Sequence, residues 1–181
     1  MPINVTFVAT DNCLLVAFRT VTFSTSDVQP PQVIQAPKDT VAYCTPSGSP
    51  LNRLGQWIQS RGYSQVSDAC TAVTHRAEIN NVQVDSAQIV AALLASFANG
   101  CNSQTIGTQT FDKVRGKVTV KWKAIDACGN ETTVGTATFG VIDTLPPVIT
   151  GVNVTEECGA NSQDNTTLQN WINAHGNTTI T

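Results

Sequence analysis

The stretch Val118-Thr-Val-Lys-Trp-Lys-Ala-Ile-Asp-Ala-Cys-Gly-Asn130, together with residues 133–141 that follow it, decides the fold. Apolar and polar side chains alternate on both sides of Asp126, which is the period of a strand with one buried face. The residues between the two flanks are turn formers. The pattern therefore predicts an antiparallel hairpin, and a chain of the mainly β class.

The hairpin motif occurs twice in the chain, and other segments repeat with it at a nearly constant offset of about 115 residues. Chance does not produce so many matches in the same order. Residues 5–13 match 120–128, Thr22-Phe23 matches Thr138-Phe139, 27–31 matches 143–147, Cys44 matches Cys158, and Leu54, Trp57 and Gly62 match Leu168, Trp171 and Gly176.

The repeat predicts three parts. Residues 1–28 form the C-terminal hairpin of one repeat, 29–144 a complete repeat, and 145–181 the N-terminal part of a third. An Asp-x-x-Pro-Pro sequence marks each boundary, and paired prolines make a short, stiff connector. We expect a semi-rigid array of repeats. The ends of this segment do not coincide with the repeat boundaries.

Composition narrows the class of protein. Only 13% of the residues are charged and 25 are threonine, which favours β structure with a neutral, hydroxyl-rich surface. The net charge of -3 and the lack of any basic cluster argue against nucleic acid or an anionic membrane as a partner. No segment is apolar over the length of a membrane span, and no signal peptide precedes Ile3, so we expect export and anchoring signals to lie elsewhere.

Within the complete repeat the pattern predicts two short helices among strands. Ser49 and Pro50 begin the first helix, with Trp57 as a core anchor, and Gly62 stops it. Asp85 caps the second helix, which we expect to cover an open sheet edge. One interrupted strand is predicted at 33–34 and 39–44, and further strands at 63–66, 73–79, 118–124 and 133–141.

These motifs resemble the HYR-like, immunoglobulin-type repeats that occur in tandem in large surface, adhesin-like and gliding-motility-associated proteins, especially of Bacteroidota. The resemblance covers essentially the whole chain, and the Asp-Ala-Cys-Gly-Asn sequence followed by Asp-x-x-Pro-Pro is its most specific element. It departs at Asp11-Asn-Cys13, where Leu14-Leu15 replaces Gly-Asn. The resemblance rests on a Pro-Pro pair, Cys44, Leu54-Gly-Gln-Trp57, Ser67-Asp-Ala-Cys70, Cys101, and residues 122–130, 136–139 and 143–147.

The resemblance implies an immunoglobulin-like β-sandwich with one or two short inserted helices. It also implies an extracellular structural repeat of a cell-surface stalk, filament or adhesin array. Its partners would be neighbouring repeats of the same chain or identical chains. The alternative is an adhesion module that binds a surface glycan or protein. No catalytic motif is recognised, so we expect no enzyme activity and no cofactor except calcium.

Six cysteines without a Cys-x-x-Cys pair indicate disulfides in an oxidising compartment. In an immunoglobulin-like sandwich the loops carrying Cys70 and Cys128 lie at one end, which implies Cys70–Cys128 and Cys44–Cys101. Cys13 and Cys158 would then pair outside this segment. The rival set is Cys13–Cys44, Cys70–Cys101 and Cys128–Cys158.

Oxygen-bearing side chains are expected to converge at the same end. The candidate calcium ligands are Asp27, Asp68, Asp126 and Asn130, because calcium takes six to eight oxygen ligands. The competing interpretation is that they only form turns. His75 and His175, the two histidines, have no partner at ligand spacing.

Two kinds of glycosylation candidate occur. Sequons for N-glycosylation stand at Asn4, Asn130, Asn153, Asn165 and Asn177. The resemblance adds short Asp-Ser/Thr-apolar sites of bacterial O-glycosylation, at Thr40, Ser86 and Thr144.

Overall fold

The computed structural model describes residues 2–45, 48–70, 72–151, 153, 166–175 and 178–180. Within them the chain is mainly β, with several sheets and three short helices, which is consistent with a β-sandwich. The chain divides into two compact units, Met1–Asp143 and Thr144–Thr181. The three-part division into 1–28, 29–144 and 145–181 stays a prediction.

The strands of the first unit are β1 (Ile3–Thr10), β2 (Val16–Phe23), β3 (Gln32–Gln35), β4 (Thr40–Tyr43), β5 (Gln65–Ser67), β6 (Thr74–Ile79), β7 (Val82–Val84), β8 (Asn102–Ile106), β9 (Gln109–Ile125) and β10 (Glu131–Ile142). Its helices are α1 (Pro50–Gln59) and α2 (Ser86–Ser96), the second extended by a 3-10 turn, Phe97–Asn99. The second unit has β11 (Ile149–Thr150), α3 (Thr166–Asn173) and β12 (Thr179–Ile180), with β11 and β12 antiparallel.

A six-stranded sheet organises the first unit, in the order β4-β10-β9-β6-β7, with β8 also paired to β9. The β9–β10 hairpin lies at its centre, as the alternating pattern predicts. Only β4 is parallel to its neighbour, β10. Strands β3 and β5 form a separate two-stranded sheet.

The core lies on one face of the β9–β10 hairpin. Val118 pairs with Phe139 across the two strands, and both side chains are buried. Trp57 of α1 packs on this face, with its ring centroid 5.8 Å from that of Trp122 and 5.6 Å from that of Phe139. Ile89 of α2 joins the same cluster. Both helices therefore cover a face of the sheet, whereas we had expected α2 to cover an edge.

Both helices begin where the sequence predicts. The Ser49 side chain accepts a hydrogen bond from the backbone N–H of Leu51, and Pro50 stands in the first turn. Asp85 forms a capping box with Gln88, in which each side chain accepts from the other residue's backbone N–H. These bonds satisfy amide donors that the first turn of a helix leaves free.

A second, smaller apolar cluster closes the other end of the hairpin. Ile106 of β8 folds against Gly140 of β10, with Val114 and Ile142 beside it. A Cβ atom on Gly140 would lie 2.1 Å from Cδ1 of Ile106. A larger residue at this position would force the buried Ile106 side chain to shift.

Strands β1 and β2 form an isolated hairpin whose residues are all exposed. Its turn is held by Asp11, whose Oδ1 accepts hydrogen bonds from the N–H groups of Cys13 and Leu15 at 2.8 and 2.9 Å. Leu14 adopts a left-handed conformation with φ 64°. The register and this turn define the hairpin, but an isolated two-stranded hairpin is only marginally stable in water.

Within residues 29–144, two strands were not predicted from the sequence and one was predicted out of place. Strand β7 pairs with β6 through a tight turn at Asn80-Asn81, and β8 pairs with the first part of β9. The strand expected at 63–66 begins only at Gln65, because Tyr63 has a left-handed φ of 63°. A residue in that conformation does not continue an extended strand.

Candidate functional site

The candidate site is built on two loops with the same sequence, Asp-Ala-Cys. In the loop after β5, Oδ1 of Asp68 accepts a hydrogen bond from the N–H of Cys70 at 2.9 Å. In the loop between β9 and β10, Oδ1 of Asp126 accepts one from the N–H of Cys128, also at 2.9 Å. Each aspartate therefore closes an Asx turn, which is the local role that the turn interpretation predicts.

Sheet pairing places the two loops side by side. Strands β6 and β9 are antiparallel neighbours, and Thr74 pairs with Ile125 just beyond the loops. The segment before β3 reaches the same place, where the Asn130 side-chain N–H donates to the backbone carbonyl of Asp27 over 3.2 Å.

Three carboxylates meet at this point. One oxygen from each of Asp27, Asp68 and Asp126 lies within 4.8 Å of the others. Asp126 is only 4% exposed, and the other two are half-buried. Oδ2 of Asp27 is buried and has no hydrogen-bond partner. The structure thus brings together three of the four predicted calcium ligands, which we call the acidic cluster.

The fourth residue, Asn130, takes part as a donor. Its side-chain nitrogen donates to Oδ2 of Asp126 at 2.7 Å as well as to the carbonyl of Asp27. It therefore ties the β9–β10 loop to the connector. As placed, the amide presents N–H groups to the cluster, and its nitrogen is not a calcium ligand.

The acidic cluster carries negative charge. Burial raises the pKa of Asp126, but hydrogen bonds from the side chain and backbone of Asn130 and from the N–H groups of Cys128 and Gly129 outweigh it, so the pKa lies below its ordinary value. The charge of Asp27, then burial, then Asp68 raise the pKa of the adjacent Cys70 thiol. This charge would attract a cation.

Two of the described cysteines, Cys70 and Cys44, each lie within electrostatic range of a second cysteine. All five described cysteines carry free thiols, and Cys158 lies outside the described residues. Cys128 contributes to the raised pKa of the Cys70 thiol, so these two groups lie within range of each other's charge. At the opposite end, burial and Asp143 raise the pKa of Cys44, Arg115 lowers it, and Cys101 raises it.

Cys13 lies at the tip of the β1–β2 hairpin and is exposed. Its backbone N–H is held by Asp11, as those of Cys70 and Cys128 are by their own aspartates. The three Asp-x-Cys turns are therefore locally equivalent. Both the first pairing and its rival stay predictions.

The two histidines have different local settings. His75 pairs with Ala124 within the sheet, and burial, followed by the charge of Arg61, lowers its pKa. His175 follows α3 and has a left-handed φ of 52°. Among the described residues, the acidic cluster is the one group of three His, Cys, Asp or Glu close enough to share a metal ion.

The glycosylation candidates have different surroundings. Asn4 and Asn153 are exposed. Asn130 uses its side-chain nitrogen in the two hydrogen bonds given above. Asn165 and Asn177 lie outside the described residues. Thr40 is half-buried in β4, while Ser86 and Thr144 are exposed. Ser86 is the first residue of α2.

The sequence analysis missed a charged cluster on the outer face of the sheet. Glu78 is almost fully buried, with its carboxylate 3.1 Å from Nζ of Lys123 and 3.7 Å from Nζ of Lys121. Lys123 also pairs with Glu131 at 2.7 Å. The lysines flanking Trp122 were a usable signal, because alternate residues of a strand share a face.

Comparison with known proteins adds no family. No model of a protein family matches the chain, and no curated protein matches it. None of the described helices has the length and apolar character needed to span a membrane.

Proposed function

We propose that this chain is an extracellular structural repeat that forms part of a semi-rigid stalk, filament or adhesin array at the cell surface. The HYR-like, immunoglobulin-type resemblance supplies this class of protein. The observation that carries the proposal is the internal repeat. The sequence repeats, and so does the pairing of the strands in the two hairpins.

The two hairpins correspond pair by pair. Ile3 pairs with Phe23 as Val118 pairs with Phe139, and Thr10 pairs with Val16 as Ile125 pairs with Glu131. The sequence offset grows by one residue within the second strand, and β10 has a register shift between Thr133 and Gly135. A single inserted residue at this bulge accounts for the change in offset.

A stiff connector is supported by the contacts around Asp27. Its Oδ1 accepts a hydrogen bond from the N–H of Gln29 at 3.0 Å, and its carbonyl accepts from Asn130. Pro30 and Pro31 follow at once and restrict the backbone further. A connector held at both the loop and the proline pair would transmit force along an array.

Two disulfides belong to the proposal, Cys70–Cys128 and Cys44–Cys101. The adjacency of the two Asp-Ala-Cys loops supports the first. The charge of Cys128 contributes to the raised pKa of Cys70 and that of Cys101 to the raised pKa of Cys44, which supports both. Each bridge would stabilise the repeat by about 2–4 kcal/mol. Such bridges persist in an oxidising, extracellular compartment.

Calcium binding at the acidic cluster is the second element. Three carboxylates at a connector form a set of hard oxygen donors, and a divalent cation would neutralise charge that Asp126 carries in a buried place. The ion would then join the connector to both loops.

The calcium proposal predicts a rise in melting temperature between excess EGTA and millimolar calcium. Binding stabilises the folded state by about 2.7 kcal/mol when free calcium is 100-fold above Kd. Asp68→Asn should lose the rise. Asp11→Asn is the matched control, because Asp11 closes the same kind of turn outside the cluster. A wild-type melting temperature that does not respond to calcium contradicts the proposal.

The structural role is tested by labelling intact cells of the source with an antibody against residues 29–144, with and without mild protease. We expect surface labelling that protease removes. Labelling only after lysis would contradict a surface role. The alternative, a glycan-binding module, requires an exposed aromatic cluster. Trp57 and Trp122 are buried, whereas Phe7, Phe18 and Phe23 of the β1–β2 hairpin are exposed. Specific hits for the chain on a glycan array would favour that alternative.

A further inference from the structure

The β1–β2 hairpin has one apolar face. Residues that pair across the strands share a face of the sheet, so its members are Ile3, Val5, Val21 and Phe23, with Phe7 opposite Arg19 at one end. All of these apolar side chains are exposed. We call this set the β1–β2 apolar face.

The other face of the same hairpin is more polar. Thr6 and Thr20 share a hydrogen bond of 2.8 Å, and Thr22 donates to Oδ1 of Asn4 at 2.8 Å. Val8, Val16 and Phe18 are exposed apolar residues on this side, at the end of the hairpin nearer its turn. The asymmetry is typical of a hairpin that packs one face against a partner.

The complete repeat shows what covers the equivalent face. By the pairwise correspondence, Val5 is equivalent to Val120 and Phe23 to Phe139, and both of the latter are buried. The cover includes α1, whose Leu54, Trp57 and Ile58 are buried in the same cluster. An α1-like helix is therefore the natural occupant of the β1–β2 apolar face.

The second unit contains such a helix. In α3, Leu168, Trp171 and Ile172 repeat the spacing of Leu54, Trp57 and Ile58, which places them on one helical stripe. Leu168 is 53% exposed and Ile172 50% exposed, whereas their equivalents in α1 are buried. Each chain thus presents both an apolar hairpin face and a helical stripe of the kind that covers it.

We infer that α3 of one chain docks on the β1–β2 apolar face of a second copy of this chain. The inference rests on the proposed structural repeat, whose array it extends from one chain to many. The two surfaces are different parts of the chain, so the contact is head-to-tail, and repetition of it produces an open filament or a ring. Arg19 stands where the complete repeat has Gly135, so contact centres on the end of the face that carries Val5 and Phe23.

The test is sedimentation velocity of the full chain over about 1–100 µM, a range that brackets micromolar contacts, with Cys13 and Cys158 changed to serine to exclude covalent dimers. We expect mass to increase with concentration. Val5→Lys should abolish this increase. Val8→Lys, the same change on the same strand and opposite face, should keep it. Leu168→Lys, which changes the α3 stripe, should also abolish the increase in mass.

Mixing gives the sharper result. Val5→Lys retains α3, and Leu168→Lys retains the β1–β2 apolar face, so an equimolar mixture can form one junction and should stop at dimers. Monomers at every concentration, or equal loss in Val5→Lys and Val8→Lys, overturn the inference. Monomers that are nevertheless labelled at the cell surface would leave the proposed function intact and remove only this contact.

Discussion

Asp126 shows at the scale of one residue how a loop, a strand end and a connector are joined. Its Oδ1 accepts from the N–H groups of Cys128 and Asn130 at 2.9 and 2.8 Å, and its Oδ2 accepts from the Asn130 side chain. The sequence predicts a turn-forming aspartate here. It does not reveal the bond from Asn130 to Asp27, because that bond joins residues far apart in the chain.

The pKa of Asp126 predicts a pH dependence. The folded-state pKa is lowered, so its stabilising effect is present above the unfolded pKa, about 3.9, and is lost as pH falls through the folded pKa. Asp126→Asn should be less stable than wild type at pH 7, and the gap in urea midpoint should shrink below about pH 4. Asp112→Asn, an exposed change in β9, should keep wild-type stability. A gap that stays constant down to pH 2.5 would contradict the assignment.

Gly140 gives a second prediction at this scale. Gly140→Ala should destabilise the first unit by about 1–3 kcal/mol, because the added Cβ overlaps Cδ1 of Ile106. Ile106→Val in the same chain should restore part of the loss. Gly55→Ala is the opposite case, since nothing lies within 4 Å of its Cβ position in α1, and it should stabilise by up to about 1 kcal/mol. Urea titration measures all three, and equal effects of the two alanines would refute the packing.

At the scale of elements, strong local signals were sufficient for the central hairpin and for both helices of the first unit. The alternation around Trp122 and the caps at Ser49 and Asp85 depend on neighbouring residues only. Strand β7 also had a local signal, an Asn-Asn turn with both residues at positive φ, which is typical of a two-residue hairpin. Strand β8 had none, because its Asn-Ser-Gln-Thr sequence is polar and its pairing depends on the folded-over end of β9.

The capping box of α2 can be tested directly. Asp85→Ala should lower the free energy of unfolding by about 1 kcal/mol, because the N–H of Gln88 loses its acceptor. Ser86→Ala, the next residue, is exposed and is the control with an expected change near zero. If both variants unfold at the same urea concentration, the cap does not stabilise the helix.

At the scale of the whole molecule, the repeat has the greatest predictive value. The immunoglobulin-like topology implied by the resemblance predicted that Asp27, Asp68 and Asp126 converge at one end of a domain, and the structure brings their carboxylates together. The lysines flanking Trp122 indicate a charged strand face, but their pairing with the buried Glu78 was missed because a sequence does not show which faces of neighbouring strands align. What a sequence repeat predicts best is the register of equivalent hairpins.

The central claim is that each cysteine pairs within its own repeat. The most direct measurement is peptide mapping of the native, non-reduced protein, with free thiols blocked before digestion. The account predicts peptides that join Cys70 to Cys128 and Cys44 to Cys101, with Cys13 and Cys158 bound to neither pair. Peptides that join Cys128 to Cys158 or Cys13 to Cys44 would cross the predicted repeat boundaries, and a peptide that joins Cys70 to Cys101 would replace the proposed pairs. Any of these three results would contradict pairing within each repeat as proposed.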